Sequence, residues 1–214
     1  MDDRSIIEKC NNEYTMLSVH RRIQLIQCVE HVITNNIEGD FVEIGVWRGG
    51  AIMIMLYKLL QMGVKDRHVH LFDTFSGMTE ASPEDVCKNG ADAMNSDVFE
   101  EVKCVSPFDL TYKNVESVGY PMDLIHFHVG DIRKVKSDDV PPKIALLRLD
   151  NDWFELYKFE LPIFEPKVPR FGVVIIDDYD WWNGCKKAVD EYLKTIGGRK
   201  LHQVEETVFW LSGV

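Results

Sequence analysis

Six acids stand where apolar patterning breaks off or is interrupted: Glu43, Asp73, Asp131, Asp150, Asp177 and Asp178. Each belongs to the end of a short run rich in Val, Ile, Leu and Phe, the composition of a buried strand. Asp150, Asp177 and Asp178 follow the two most apolar runs, Ile144 to Leu149 and Gly172 to Ile176, which are expected side by side in a parallel sheet. Three crowded carboxylates repel one another unless a cation neutralises them. All-oxygen donors with room for water or substrate oxygens suit Mg²⁺ or Mn²⁺ rather than zinc. Taken singly, each acid also fits a helix N-cap or an Asx turn.

The other acids gather around a glycine turn. Gly39 to Gly50 reads Gly-Asp-Phe-Val-Glu-Ile-Gly-Val-Trp-Arg-Gly-Gly, followed by the apolar run Ala51 to Leu60. Strand, turn and helix of this kind make a ligand cradle, because Gly45, Gly49 and Gly50 carry no Cβ and leave the helix N-terminus open to a ligand. Glu43 interrupts an apolar strand and needs hydrogen-bond donors there, which a ligand's hydroxyls or amine would provide; a locally paired glutamate is the alternative. Asp73 ends the run His68 to Phe72 and leads into Thr74. An acid so placed in a nucleoside-binding α/β fold accepts from both ribose hydroxyls, unless it only terminates the strand. Asp131, after Leu124 to Val129 and Gly130, either reaches an adenine amino group or caps the following turn. His126 and His128 share a strand face, as metal ligands or as ordinary strand residues.

These acids need a scaffold, and the alternation of strands and helices predicts one. The expected fold is α/β, a doubly wound and mostly parallel seven-stranded sheet with the last strand antiparallel, and such sheets bind ligands beyond the carboxyl ends of their strands. Helices are predicted over Tyr14 to Ile37, Ala51 to Leu60, Phe108 to Val118, Trp153 to Phe164 and Gly184 to Ile196. The first has apolar residues at Met16, Val19, Ile23, Ile26, Val29 and Val32. Lys200 to Val204 and Thr207 to Leu211 are predicted to close the sheet. With 214 residues, 1–214 is expected to be one domain. Within it, 1–38 forms an N-terminal helical lid or interface segment, and 78–107, rich in polar residues, an active-site excursion.

A formal net charge of −11 gives neither nucleic acid nor an anionic membrane anything to attract, which leaves small molecules as partners. Five cysteines without a CxxC pair suit reduced thiols, and no apolar run is long enough to span a membrane, so a cytoplasmic location is expected.

Four stretches together resemble the macrocin O-methyltransferase (TylF-like) family: Gly39 to Gly50, Phe72-Asp-Thr-Phe-Ser-Gly77, Leu147-Arg-Leu-Asp-Asn-Asp152 and Val174-Ile-Ile-Asp-Asp-Tyr179. Tyr14-Thr15-Met16 and Cys185 to Tyr192 extend the similarity over nearly the whole chain. The resemblance implies a class I S-adenosylmethionine-dependent fold and Mg²⁺-dependent methyl transfer to a hydroxyl, usually on a sugar of a natural product. It implies Asp150, Asp177 and Asp178 as metal ligands and Asp152 as general base. Glu43, Gly45, Gly49, Gly50, Asp73, Thr74, Asp131 and Asp150 would then line the cosubstrate site. The chain departs from the family pattern at Asn151, where Gly is common, and at Phe154-Glu-Leu-Tyr157.

The chemistry is coherent. Methyl transfer from a sulfonium is an in-line displacement, and an alcohol becomes a competent nucleophile once a cation and a nearby carboxylate help remove its proton. Trp47, Trp153, Trp181 and Trp182 are available as a water-excluding wall or as packing. A small-molecule acceptor with adjacent hydroxyls is expected, catechols included, and a homo-oligomer through the N-terminal helix is compatible with the pattern. Two other functions compete: a dinucleotide-dependent oxidoreductase, which would need the G-x-G-x-x-G that is missing here, and a catalytically silent S-adenosylmethionine-binding interaction protein.

Overall fold

Every apolar run followed by an acid becomes a strand in the computed structural model, which describes residues 1–91 and 104–213. The centre of the expected 78–107 excursion therefore lies outside the described residues. In chain order the elements are α1 (Asp3–Lys9), α2 (Val19–Thr34), β1 (Asp40–Ile44), α3 (Gly50–Gln61), β2 (Val69–Asp73) and α4 (Phe108–Glu116). They are followed by β3 (Ile125–Val129), β4 (Ile144–Leu149), α5 (Phe154–Phe164), β5 (Val173–Ile176), α6 (Asn183–Thr195), β6 (His202–Val204) and β7 (Thr207–Leu211).

The sheet has seven strands in the order β3-β2-β1-β4-β5-β7-β6. β1 pairs in parallel with β2 and β4, β2 with β3, and β4 with β5, while β7 runs antiparallel to both β5 and β6. The predicted architecture is the observed one, including the antiparallel final strand. Strand order reverses between β1 and β4, so a crevice opens beyond their carboxyl ends. β4 is buried along its whole length and so carries the near-continuous apolar run of a strand covered on both faces. α1, α2, α3 and α4 contribute to the core on one face, α5 and α6 to the core on the other.

The N-terminal helix departs from its prediction in two ways. It begins at Val19 rather than Tyr14, because Thr15 Oγ1 accepts the Leu17 amide and Ser18 caps the helix by accepting the Arg21 amide. Hydroxyl side chains that satisfy backbone donors in this way favour a turn and a cap over another helical turn. Its inward face is also rotated. Ile26, Val29 and Val32 are buried as expected and Leu25 joins them, but Met16, Val19 and Ile23 are exposed. Arg22 takes the inner position, giving its Nε–H to the Leu17 carbonyl at 2.8 Å. The short helix α1 was not predicted; it packs against α2 and α3.

Candidate active site

Ladder hydrogen bonds carry the strand ends to one place. The Asp150 amide donates to Ile44 at 2.8 Å and the Asp177 amide to Leu149 at 3.0 Å, so the turns after β1, β4 and β5 lie adjacent. Side-chain oxygens of Asp150, Asp177 and Asp178 fall within 4.8 Å of one another. Among the described residues they are the one trio of ligating groups so close. Hard divalent cations take such donors, so the residues fit a Mg²⁺ or Mn²⁺ site.

A buried arginine sits behind them. Arg148, the penultimate residue of β4, is level with Glu43 of β1 and is 2% exposed. It donates to Glu43 Oε1, from Nη1 to Asp150 Oδ2 at 2.9 Å, and from Nη2 to Asp177 Oδ1 at 2.9 Å. Glu43 is thus the locally paired glutamate of the alternative reading; its donor is the protein's own guanidinium. Its second oxygen is buried without a hydrogen-bond partner and the residue lines the cavity, so one position stays available. Burial pushes the Glu43 carboxyl up to about 7, outweighing Arg148. The sequence reading gave Arg148 no role, although an arginine inside Ile-Ala-Leu-Leu-Arg-Leu was signal enough, since a buried cation demands carboxylates.

Electrostatics follow from this geometry. Asp177, between Arg148 and Arg21, is held below the ordinary aspartate range despite burial. Asp150 and Asp178 are pushed well above it, first by burial; for Asp150 the neighbouring acids add to this, against Arg148. Asp152 is raised to about 7 by burial and by the charge of Asp150. Its Oδ1 accepts from Trp182 Nε1 at 2.9 Å. Asp152 also has φ of 62°, a left-handed conformation costly for a residue with a Cβ.

The cavity beyond the strands has a volume of about 380 Å³, within the range of small-molecule sites. Glu43, Gly45, Asp73, Thr74, Asp131 and Asp152 line it, as do the three clustered acids. Asp73 is fixed at its wall: Oδ2 accepts the Val46 and Trp47 amides at 2.6 and 2.9 Å, and Oδ1 the Phe75 amide at 2.7 Å. Thr74 closes its own turn, donating to the Gly77 carbonyl at 2.6 Å. Asp131 adopts the capping alternative. It accepts from the Arg133 amide at 3.0 Å and pairs with the Arg133 guanidinium at 2.6 Å, while still reaching the cavity.

The glycines serve a different end from the one expected. A Cβ on Gly45 would collide with the Asp150 backbone, and one on Gly50 with Tyr14 and Thr15, so the space is taken by the chain itself. Gly49, at φ of 85°, faces Thr111 and Val115 of α4 and is not part of the cavity wall. The approach at Gly50 lets its amide donate to the Tyr14 carbonyl at 3.1 Å and seats the N-terminal segment over the cavity. Of the tryptophans, Trp47, Trp181 and Trp182 line the cavity, whereas Trp153 is buried with its ring edge against Trp182 at 5.0 Å. His126 and His128 share a face but pair with His68, just before β2, and His70 on β2 rather than with a third ligand.

Asp85 was also missed. It is fully buried in the described part of the excursion and accepts the Phe154 amide at 2.8 Å at the start of α5. This half of the excursion is docked rather than solvated.

Residues 5–212 match the macrocin O-methyltransferase (TylF) family. The chain belongs to that family. It is therefore an S-adenosylmethionine-dependent O-methyltransferase, and the oxidoreductase and silent-binder alternatives fall away. It is 34% identical over 181 residues to demethyldecarbamoylnovobiocin O-methyltransferase of Streptomyces niveus, covering 85% of this chain and 68% of that one. Mycinamicin III 3''-O-methyltransferase of Micromonospora griseorubida is 30% identical over 181 residues, covering 84% and 70%. The solved O-methyltransferase NovP superposes with a TM-score of 0.83 at 29% identity, covering 98% of this chain and 88% of that one. The calicheamicin methyltransferase CalS11, at 16% identity and a TM-score of 0.72, shares the fold over 99% of this chain and 91% of its own. Among the described residues, no helix is long and apolar enough to cross a membrane.

Proposed function

We propose that this O-methyltransferase acts on one hydroxyl of a sugar, or of another small molecule with adjacent hydroxyls, in natural-product tailoring, and that it requires Mg²⁺ or Mn²⁺. The carrying observation is the carboxylate trio at the cavity floor with Asp152 beside it. The relatives named above act on demethyldecarbamoylnovobiocin and on mycinamicin III, which supports a glycosylated or polyhydroxylated acceptor.

In this reading Asp150, Asp177 and Asp178 hold the ion, which supplies Lewis acidity that orients neighbouring hydroxyls and eases loss of a proton from one of them. Asp152 takes that proton. Trp182 keeps its Oδ1 occupied, which fixes the carboxylate beside the trio. Asp73 and Thr74 face the ribose, Asp131 the adenine end, and Glu43, Gly45, Gly50 and Asp150 shape the wall around the methionine portion. Trp47, Trp181 and Trp182 exclude water from the transfer. The reading also includes a single domain with 1–38 as lid or interface, self-association through that segment, neither nucleic acid nor membrane as partner, and a cytoplasmic location.

The test is transfer of a labelled methyl group from S-adenosylmethionine to a panel of glycosides with vicinal diols, with Mg²⁺ and with EDTA. Transfer that EDTA abolishes and Mg²⁺ restores is expected, and Asp152→Asn should lower kcat at least 100-fold. Transfer that persists in EDTA refutes the metal requirement.

A further inference from the structure

A second guanidinium enters the carboxylate cluster from outside the sheet. Arg21 lies in the first turn of α2; its Nη2 donates to Asp177 Oδ2 and stands 3.7 Å from Asp178 Oδ1, and its Nη1 is 4.0 Å from Glu206. The side chain is 12% exposed, and its Nε is buried without a hydrogen-bond partner. Asp177 Oδ1 is already held by Arg148 and Thr207, so both oxygens of this acid face a cation. Arg148 belongs to the sheet and cannot leave. Arg21 can, because only its side chain reaches the cluster: the helix start is anchored separately, by Ser18 and His20 on Glu205.

The guanidinium thus spans the gap between two of the three acids assigned to the ion, and a divalent cation and a guanidinium confined there would repel each other strongly. Resting on the metal assignment above, we propose that Arg21 is the built-in occupant of the metal position. It neutralises Asp177 and Asp178 in the metal-free chain and leaves as a divalent ion enters. The exchange keeps a crowded acidic cluster folded before loading, sets the metal affinity lower than the acids alone would give, and links loading to the segment over the cavity.

Isothermal titration with MgCl₂ compares the intact chain with Arg21→Met, which keeps the stem and removes the charge. The variant is expected to bind Mg²⁺ on the order of tenfold more tightly. It should also melt at a lower temperature without metal, with the gap narrowing at saturating Mg²⁺. Equal or weaker Mg²⁺ binding by the variant overturns the exchange while leaving the metal assignment intact. Failure of both chains to bind Mg²⁺ or Mn²⁺ overturns the assignment and the exchange together. Should Arg21→Met not fold, the intact chain carries the test: with arginine labelled in ¹⁵N and Arg21→Lys used to assign its side-chain signal, Mg²⁺ should move that signal to the position of exposed arginines. An unmoved signal on a chain that binds Mg²⁺ by calorimetry overturns the exchange.

Discussion

Arg148 is the residue on which the site turns. One guanidinium, 2% exposed, serves Glu43, Asp150 and Asp177, and its removal leaves Glu43 buried without a counter-charge. Breaking one side of such an arrangement costs about 3–5 kcal/mol, and Arg148→Met should lose that much in urea denaturation. A loss under about 1 kcal/mol would show that water already reaches these acids. Glu160 is the second informative residue. It is fully buried on α5, accepts from Asn151 Nδ2 at 2.6 Å, and has its other oxygen unpartnered; burial raises its carboxyl from 4.5 to about 8. A folded-state pKa above the unfolded one means stability is fullest below pH 4.5 and declines as pH rises toward 8. Glu160→Gln keeps an acceptor for Asn151 and removes that decline. The variant should therefore melt above the parent at pH 8 and lose the advantage at pH 4.5, and a gap independent of pH would contradict the assignment.

At the scale of elements, β2 and β3 show how an edge of the sheet depends on histidines packed against one another. His70 bonds His128 at 3.1 Å and Asp40 at 3.2 Å, His68 bonds His126 at 2.8 Å, and His128 stacks on Phe72 at 4.1 Å. Burial and the neighbouring His70 hold His128 down to about 4, against the pull of Asp139. The unfolded chain then takes up the proton first, so this contribution to stability is present above about pH 6.5 and is lost as pH falls toward 4. His128→Phe should flatten the stability of the chain against pH across that window, whereas an unchanged slope would place the acid sensitivity elsewhere. β3 leads into Gly130 and Asp131 at the cavity wall, so the same variant reports on whether edge stability reaches the cosubstrate side. The start of α2 offers the contrasting case. Its exposed Met16 and Val19 follow from a Ser18 cap that ends the extended segment and from Arg22 turning inward, neither of which apolar spacing registers.

For the whole molecule, the sheet was legible because a parallel sheet writes itself as apolar runs separated by helices, and each run ended in an acid that periodicity did not require. The strand order placed those acids in one crevice, so the carboxylate trio and the cavity wall were also within reach of the sequence. What stayed hidden were the cations. Arg148 and Arg21 look like ordinary charges in one dimension, and only the β1–β4 register and the packing of α2 bring them to Glu43, Asp150 and Asp177. The close neighbours of the glycines stayed hidden for the same reason, since the segment that fills the space beside Gly50 comes from Tyr14 and Thr15, far away in the chain. Local patterns announce which groups need partners, whereas long-range contacts decide who the partners are.

In the proposed function one crevice holds two separable sites, a cosubstrate wall at Asp73 and a divalent-ion cluster at Asp178. Isothermal titration of S-adenosylmethionine and of MgCl₂ into the intact chain, Asp178→Asn and Asp73→Asn tests it most directly. Asp178→Asn should lose Mg²⁺ binding and keep the cosubstrate within a few-fold, while Asp73→Asn should weaken the cosubstrate on the order of tenfold and keep Mg²⁺. An Asp178→Asn chain that binds Mg²⁺ as tightly as its parent would contradict the account.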